Sequence, residues 1–328
     1  MPAQFRLIDG AGFAAEASAL LSSAWPEPAL RYPPEYLEWQ FSFPGPFAAP
    51  AVAAFCDSRP VGFAATTNRR VRYRSALVDA ALVSFVAVHP EYRNQGIASG
   101  LYRLLLSAIG KLGAPVLTFA QTGTGGVRAI ERAYPEAGFS LEPLGSYPVY
   151  GCLTKPATSV EGWVAIDRPE QGDLLRRAVA ACGAENGMIW SDPSHEQLKH
   201  YGRDPRRRTL LVNRREDGGI AGAAWIVEVE YAARGGVDRV TTIECVWLPR
   251  DRPGLLPSLA AAAARAWPQT DPSPPQVVHA PSLFGFEAQA LRQSGFRHVS
   301  SQFQCYAATS SRASRPFTGA AGGNLEVV

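Results

Sequence analysis

The most constraining feature of this 328-residue chain is an apolar strand that runs through a glycine-containing loop directly into a helix. Residues 80–88 are apolar and stop at His89-Pro90, and residues 101–112 have the leucine spacing of a helix packed on a sheet. The loop between them has glycine at position 96 and small residues at 98 to 100. Such a loop exposes backbone N–H groups at the positive end of the helix dipole, and Arg93 adds a charge at its rim. The segment therefore predicts a pyrophosphate site in an α/β fold.

Strand and helix signals on both sides of this loop predict a mixed sheet with helices packed on it. Residues 4–8 alternate as a strand does, and residues 51–55 and 61–65 predict a hairpin. A buried strand over 116–120 and a helix over 127–134 follow, and residues 147–153 form the last strand. The first domain is therefore expected to cover residues 1–153.

This pattern occurs twice in the chain. Val61 and Pro90 are 29 positions apart, as are Ile220 and Pro249, and Gly138-Phe139 has a counterpart in Gly295-Phe296. An internal duplication explains these matches with one assumption, and a chance match of small apolar strands is the alternative. Duplication predicts a second domain over 154–309, joined by a linker near 154–160. The Ser-, Ala- and Gly-rich residues 310–328 are expected to form a flexible tail.

Composition excludes several classes of protein. The 32 basic and 29 acidic residues give a net charge of +3, too small and dispersed for a nucleic-acid groove. The dense run 203–208 is interpreted as a solvated loop. Five cysteines without a C-x-x-C pair favour neither disulfides nor a metal site. The sequence has neither a transmembrane stretch nor a secretory signal, so we expect a cytoplasmic protein without a membrane partner.

Two signatures resemble those of one enzyme superfamily. Arg93-x-x-Gly96-x-Ala98, after a strand ending Val-x-Pro, resembles the coenzyme A pyrophosphate motif of the GNAT acyltransferases. Tyr134, four residues before Gly138-Phe139, resembles their second signature. The resemblance covers most of residues 1–153. It implies two tandem GNAT-like domains, each a mostly antiparallel sheet with a central splayed strand flanked by helices.

The resemblance also implies direct transfer from acetyl-CoA, or another acyl-CoA, to an amine in a ternary complex without a metal. Tyr134 would protonate the leaving thiolate, or it is merely a packed aromatic. The acceptor pocket would include Tyr32, Tyr36 and Trp39, for which a core role is the alternative. The backbone residues expected to hold the pantetheine arm and the pyrophosphate are Val86, Val88, Arg93, Asn94, Gln95, Gly96, Ile97, Ala98 and Ser99.

Departures from the family pattern limit these expectations. Neither Ser84 nor Phe85 is acidic, so no general base is evident, and the asparagine that often precedes the tyrosine is Val127. In the second half Leu255 and Pro257 stand opposite Gly96 and Ala98, so that half is expected not to bind the cofactor. Glu244 there is interpreted as an outward-facing strand residue.

The sequence therefore predicts an N-acetyltransferase that acts on a small-molecule amine. Two alternatives stay open. One is a transferase with a longer acyl or aminoacyl donor, and the other is a non-catalytic acyl-CoA sensor or partner-binding module. The sequence does not identify the acceptor or the oligomeric state.

Overall fold

The protein is described by a computed structural model, and its described strands lie in one continuous 15-stranded sheet. The described residues are 3–25, 27, 29–154, 160, 162–166, 171–182, 189–233, 236–249, 252–267, 276–280, 286–310, 316–317 and 323–324.

The first half has the strands and helices that its hydrophobic periodicity predicts. The strands are β1 (Gln4–Ile8), β2 (Ala29–Leu30), β3 (Ala51–Cys56), β4 (Arg59–Tyr73), β5 (Ala76–Val88), β6 (Val116–Gln121) and β7 (Phe139–Thr154). The helices are α1 (Ala14–Ala24), α2 (Pro34–Phe41), α3 (Ile97–Leu112) and α4 (Gly125–Glu136). The predicted hairpin is confirmed, since β3 and β4 pair in antiparallel fashion.

The second half has the same series of elements. Its strands are β8 (Trp163–Ile166), β9 (Ile189–Ser191), β10 (Arg208–Arg214), β11 (Ile220–Ala233), β12 (Gly236–Trp247), β13 (Gln276–Ala280), β14 (Phe296–Ser310) and β15 (Gly323–Asn324). Its helices are α5 (Gln171–Cys182), α6 (His195–Tyr201), α7 (Leu256–Ala264) and α8 (Ala288–Gln293).

Strand order in the sheet reveals the duplication. The main path runs β1-β3-β4-β5-β6-β14-β7-β13-β12-β11-β10-β8, so two equivalent series meet head to head. The short strands repeat the symmetry, because β2 pairs with β11 of the other half and β9 pairs with β4. The predicted α/β fold of two tandem, related halves is confirmed.

The two halves exchange their last strands. From the second half, β14 inserts between β6 and β7, with Cys305 opposite Phe119. From the first half, β7 pairs with β13, with Cys152 opposite Val278. Each half therefore completes the sheet of the other, which the sequence boundary near residue 154 did not indicate.

Helix α3 is fixed on the sheet by close contacts at two glycines. A Cβ on Gly62 of β4 would lie 2.9 Å from Ile97 Cγ2, and one on Gly100 would lie 2.2 Å from the ring of Phe5. Because no side chain fits at either point, the helix packs directly against β4 and β1. Its buried face, with Leu101 and Leu105, belongs to the core of the first half. This packing sets the position of the loop that precedes α3.

A reciprocal pair of hydrogen bonds joins α2 to α6 across the two halves. Trp39 Nε1 donates to the carbonyl of His200 at 2.9 Å, and the His200 ring lies 2.8 Å from the carbonyl of Trp39. A carbonyl only accepts, so His200 Nε2 is the protonated nitrogen. The two rings also stack, with centroids 5.1 Å apart. Burial lowers the pKa of His200, although the bond to Trp39 opposes that shift.

The expectation of a flexible tail is wrong at the positions that the structure describes. Phe317 is 2% exposed and packs on Tyr73, and Gly323–Asn324 pairs with β9. Burial of the Phe317 ring removes apolar surface from water, and this stabilises the docked segment of the Ser- and Ala-rich tail. Apart from Ser310 and Pro316, the remaining tail residues lie outside the described residues, as does the predicted linker at 155–159.

Strand exchange predicts that the halves do not fold separately. A fragment of residues 1–154 would leave β6 without β14 and β7 without both of its neighbours, and unpaired backbone groups and apolar surface destabilise such a sheet. We expect this fragment to aggregate or to lack a cooperative unfolding transition in circular dichroism, whereas the full chain unfolds cooperatively. A soluble, cooperatively unfolding fragment would contradict this reading of the exchange.

Candidate functional site

Strands β5 and β6 separate at their carboxyl ends. Their parallel pairing covers Ala81 to Val83 and ends where Val83 meets Thr118. Beyond that rung β5 continues to Val88 and β6 to Gln121 without further pairing between them. We call the opening between residues 84–88 and 119–121 the fork. It is the splayed strand that the family resemblance predicts.

Backbone N–H groups of β5 point into the fork. The N–H of His89 donates to Val61 of β4 at 2.9 Å. Successive N–H groups along a strand alternate between its two edges. The N–H group of Val88 therefore points away from β4, toward the side where β6 has diverged, whereas Val86 lies in a bulge that interrupts this alternation. The Val88 N–H is suitably placed to hold an extended ligand by an amide carbonyl.

A bulge deforms β5 at the mouth of the fork. The register with β4 shifts between Ala87 and Ser84, and Phe85 between them has a φ of 56°. A left-handed conformation of a phenylalanine costs about 1–3 kcal/mol and persists only where packing enforces it. Here the buried ring packs on Tyr32 and Phe41, with centroid distances of 5.3 and 5.6 Å. The bulge redirects the local N–H groups, which suits them to polarise a carbonyl oxygen.

The loop before α3 leaves the start of that helix open. Gly96 is its N-cap with a φ of 77°, and no side chain caps the helix. Residues 93–96 are exposed, and a Cβ on Gly96 would meet nothing within 4 Å. Asn94 is also left-handed, with a φ of 62°. Since the first amides of a helix lack intrahelical partners, this loop presents donors to an anion.

A hydrogen bond to helix α1 fixes the side chain of Arg93 at the edge of the loop before α3. Its Nη2 donates to the carbonyl of Ala24, at the C-terminal end of α1. The negative end of that helix dipole favours the guanidinium. The side chain remains exposed, so its other N–H groups are available to a ligand.

Tyr134 is buried at the base of the fork. Its ring packs on Tyr102 and Phe139, and its hydroxyl and the Thr118 hydroxyl have no hydrogen-bond partner among the described residues. Burial raises the pKa of Tyr134 well above its usual value, Tyr102 adds to this, and the Thr118 hydroxyl opposes it. The phenol is therefore protonated at neutral pH. An unpaired buried hydroxyl at the last rung before the fork is suited to donate a proton to a ligand there.

The three aromatics expected in the acceptor pocket form a buried stack. Tyr32, Tyr36 and Trp39 are exposed by 6%, 0% and 6%. Tyr32 contacts Phe85 at the bulge, whereas Trp39 packs on His200 of the other half. Their packing in the core agrees with the alternative role given to them above. Acceptor binding by Tyr32, Tyr36 and Trp39 stays a prediction, and Tyr32 is the member of the stack that contacts the bulge.

A buried ionic cluster lies beside this stack, and its burial contradicts the expectations for residues 203–208 and Glu244. Residues 203–208 are not a solvated loop, because Asp204 is 7% exposed and the Arg208 side chain is 4% exposed. Nor does Glu244 face outward, since it is 2% exposed. Arg206 Nη2 lies 3.1 Å from Asp204 and 3.2 Å from Glu244, and Arg208 contacts both carboxylates. The run of charged residues at 203–208 does not indicate burial, because the partner Glu244 lies far away in the sequence.

The cluster connects the second half to the fork. The Arg206 guanidinium lies 4.0 Å from the centroid of the Tyr36 ring, and Tyr36 stacks on Tyr32, which contacts Phe85. Glu244 is the extra residue of a bulge in β12, as Phe85 belongs to the bulge of β5. Burial would raise the pKa of Asp204, but Arg208 and Arg206 outweigh it and lower that pKa. The second half thus brings buried charged side chains close to the bulge of β5.

A family model agrees with this geometry. Residues 14–139 match the model of the acetyltransferase (GNAT) family. The similarity to the GNAT family lies in the first half of the chain. The matched residues include β5, the loop, α3 and Tyr134, so the two sequence signatures and the fork lie within the matched region.

Solved structures extend the likeness to the whole chain. Saccharomyces cerevisiae N-myristoyltransferase with bound myristoyl-CoA is 12% identical, with a TM-score of 0.68 over 100% of this chain and 85% of that one. A probable N-acyltransferase from Enterococcus faecalis is 14% identical, with a TM-score of 0.56 over 94% and 72%. A Pyrococcus horikoshii protein described as an acetyltransferase is 15% identical, with a TM-score of 0.55 over 96% and 92%. At these identities the likeness shows the fold alone. No curated protein matches the sequence.

The second GNAT-like half lacks an open loop. A helical turn at Pro253–Leu255 leads directly into α7, and the N–H of Leu255 donates to the carbonyl of Arg252. Pro257 in the first turn of α7 has no N–H. The described residues contain no helix long and apolar enough to cross a membrane, and no group of three or more potential metal ligands.

The ionic cluster predicts a large stability cost for the loss of one carboxylate. Glu244→Gln leaves two buried guanidinium groups with one partner fewer, and such a change costs about 3–5 kcal/mol in the free energy of unfolding. Glu228→Gln is the matched control, because Glu228 forms only longer pairs, at 3.9 and 4.0 Å, with the exposed Arg207 and Arg239. That control should cost at most about 1 kcal/mol. Denaturant unfolding measures both, and equal losses would contradict the importance of the cluster.

Proposed function

We propose that this chain is an acyl-CoA-dependent N-acyltransferase. Its N-terminal half would bind the donor and transfer an acetyl or other acyl group to an amine of a small molecule. The main support for the proposal is that the fork and the open loop before α3 follow each other directly in one β5–loop–α3 segment. A donor with an extended arm and a pyrophosphate needs both features, in that order.

Donor binding follows from the polarity of the segment. The amides of Asn94, Gln95, Gly96, Ile97, Ala98 and Ser99 would bind the pyrophosphate, with Arg93 at the edge. The N–H groups of Val86 and Val88 would hold the pantetheine amides. They are about 7 Å apart along the strand, which fits an arm that extends along β5. The reactive carbonyl would then lie near the bulge at Phe85.

The reaction would use the groups at the base of the fork. The amine attacks the thioester carbonyl, and backbone N–H groups at the bulge stabilise the negative charge on the oxygen. The carbon–nitrogen bond forms and the carbon–sulfur bond breaks. Tyr134 gives its proton to the leaving thiolate, and the phenolate is reprotonated as the amine proton leaves through water. Glu244 is a poor base because two arginines hold its carboxylate.

The proposed donor can carry a short or a long acyl group. The N-myristoyltransferase to which the chain is similar was solved with myristoyl-CoA, so a longer donor is a candidate beside acetyl-CoA. The absence of an acidic residue at Ser84 and Phe85 favours, as a second function, a non-catalytic acyl-CoA sensor. Calorimetric titration with acetyl-CoA and longer acyl-CoAs separates the donors. Thiol release with a library of small amines separates a transferase from a sensor, and no release with any amine would exclude the transferase for that library.

Donor binding should depend on Gly96. Gly96→Glu places a carboxylate in the loop and strains a residue with a φ of 77°, so coenzyme A affinity measured by calorimetry should fall below detection. Gly254→Glu is the matched control in the corresponding loop of the second half, where a Cβ also meets nothing within 4 Å. It should bind coenzyme A as the parent does. Unchanged affinity in a folded Gly96→Glu variant would put the donor site elsewhere.

Turnover should depend on the Tyr134 hydroxyl. Tyr134→Phe removes the proton donor, so we expect kcat to fall about 100-fold with little change in KM. Stability should fall by at most about 1 kcal/mol, because the phenol and the Thr118 hydroxyl interact without a hydrogen bond of ordinary geometry. Tyr102→Phe, at the neighbouring ring, is the control and should keep its kcat. Equal kcat in both variants would reduce Tyr134 to a packing residue.

A further inference from the structure

A second cavity, of about 250 Å³, lies between the two halves and outside the fork. Its walls come from the outer part of β4, from α5, and from the turn between β9 and α6. The lining residues are Arg70, Arg72, Arg176, Val179, Ala180, Asp192, Pro193, Ser194 and His195. Neither the proposed donor site nor the reaction uses any of them.

The cavity is separate from the fork because β4 is long. Thr66 of β4 stands opposite Val83 at the base of the fork, and Arg70 stands opposite Asp79 four rungs further along. At the usual rise per residue these rungs are about 13 Å apart. In this outer part β4 pairs with β9 of the second half, with Val71 opposite Ser191. A ligand here would contact both halves at once.

The lining carries an excess of positive charge. Three guanidinium groups face one carboxylate, Asp192, in the same small cavity. Asp192 is 7% exposed and is occupied by Arg72, whose Nε and Nη2 lie 2.8 and 2.7 Å from it. Arg176 pairs with Asp173, which is exposed and does not line the cavity. Like charges that share a cavity favour an anion between them.

Hydrogen-bond donors in the lining remain available. The Arg70 guanidinium forms neither a hydrogen bond nor an ion pair with any described residue, and it is half-buried. The pair between Arg72 and Asp192 uses two of the five N–H groups of that guanidinium. Ser194 Oγ accepts from the N–H of Gln197 at 3.2 Å, which leaves its hydroxyl hydrogen to donate. These groups together can surround the oxygens of one oxyanion.

We propose that this cavity binds a small oxyanion group, either a phosphate or a carboxylate, held by Arg70, Arg72 and Arg176 with Ser194. Arginine presents its donors in a planar fork that matches both kinds of anion in bidentate fashion. The small side chains of Val179 and Ala180 leave room for it between α5 and β4. The anion can be a free ion or the charged end of a larger ligand.

Calorimetry with inorganic phosphate, acetate and succinate, at constant ionic strength, tests this site in the full chain. Arg70→Gln and Arg176→Gln should each weaken binding of the preferred anion about tenfold, the effect of losing a hydrogen bond to a charged group. Arg177→Gln is the matched control on the same helix, because Arg177 bonds to the carbonyl of Gly218 and does not line the cavity. It should bind as the parent does. Preference between phosphate and carboxylates identifies the anion.

The donor loop also attracts anions, so Gly96→Glu is included as a separate variant. Its phosphate affinity should equal that of the parent if the cavity is the site. Binding that is lost in Gly96→Glu but kept in Arg70→Gln would assign the anion to the loop and overturn the inference. Failure of all three probes to bind the parent, or equal binding by every folded variant, would overturn it as well. None of these results depends on whether the chain transfers acyl groups.

Discussion

The exchange of terminal strands is the constraint on which the rest of the molecule depends. Strand β6, one wall of the fork, pairs on its outer side with β14 from the second half. Strand β7 of the first half in turn pairs with β13 of the second. Since β14 pairs with the wall of the fork that β6 provides, the second half contributes to the shape of the fork. The second half, whose loop before α7 is not open, therefore still has a structural role in the shared sheet.

The interface between the halves supplies charge as well as shape. Arg206 and Glu244 come from the second half, yet Arg206 packs on Tyr36, and Tyr36 and Tyr32 connect it to Phe85 in the bulge. A buried ion pair contributes little net stability once desolvation is counted, but it specifies one arrangement of its surroundings. The reciprocal Trp39 and His200 bonds act on the same helix, α2. Together they fix the aromatic stack that packs on the bulge.

Local patterns predicted those features that depend on neighbours in sequence. Gly96 begins a helix because of its own backbone freedom, and the equal spacing of Val61–Pro90 and Ile220–Pro249 revealed the duplication. The strand exchange could not be predicted, because it depends on pairing between residues far apart in the chain. Asp204 and Glu244 were misjudged for the same reason. A charged residue is buried only when partners from other segments compensate it, and those segments meet only in the fold.

The second half shows which features of the fork and its loop the two halves share. Pairing of β12 with β13 covers Thr241 and Thr242, while β12 continues to Trp247 and β13 ends at Ala280, so this half also has a short parallel ladder. It also has a bulge, at Glu244. What it lacks is the open loop, since Leu255 forms a backbone bond and Pro257 has no N–H. A bulge and a short parallel ladder therefore occur in both halves, whereas an open loop with uncapped amides occurs at the start of α3 and not at the start of α7.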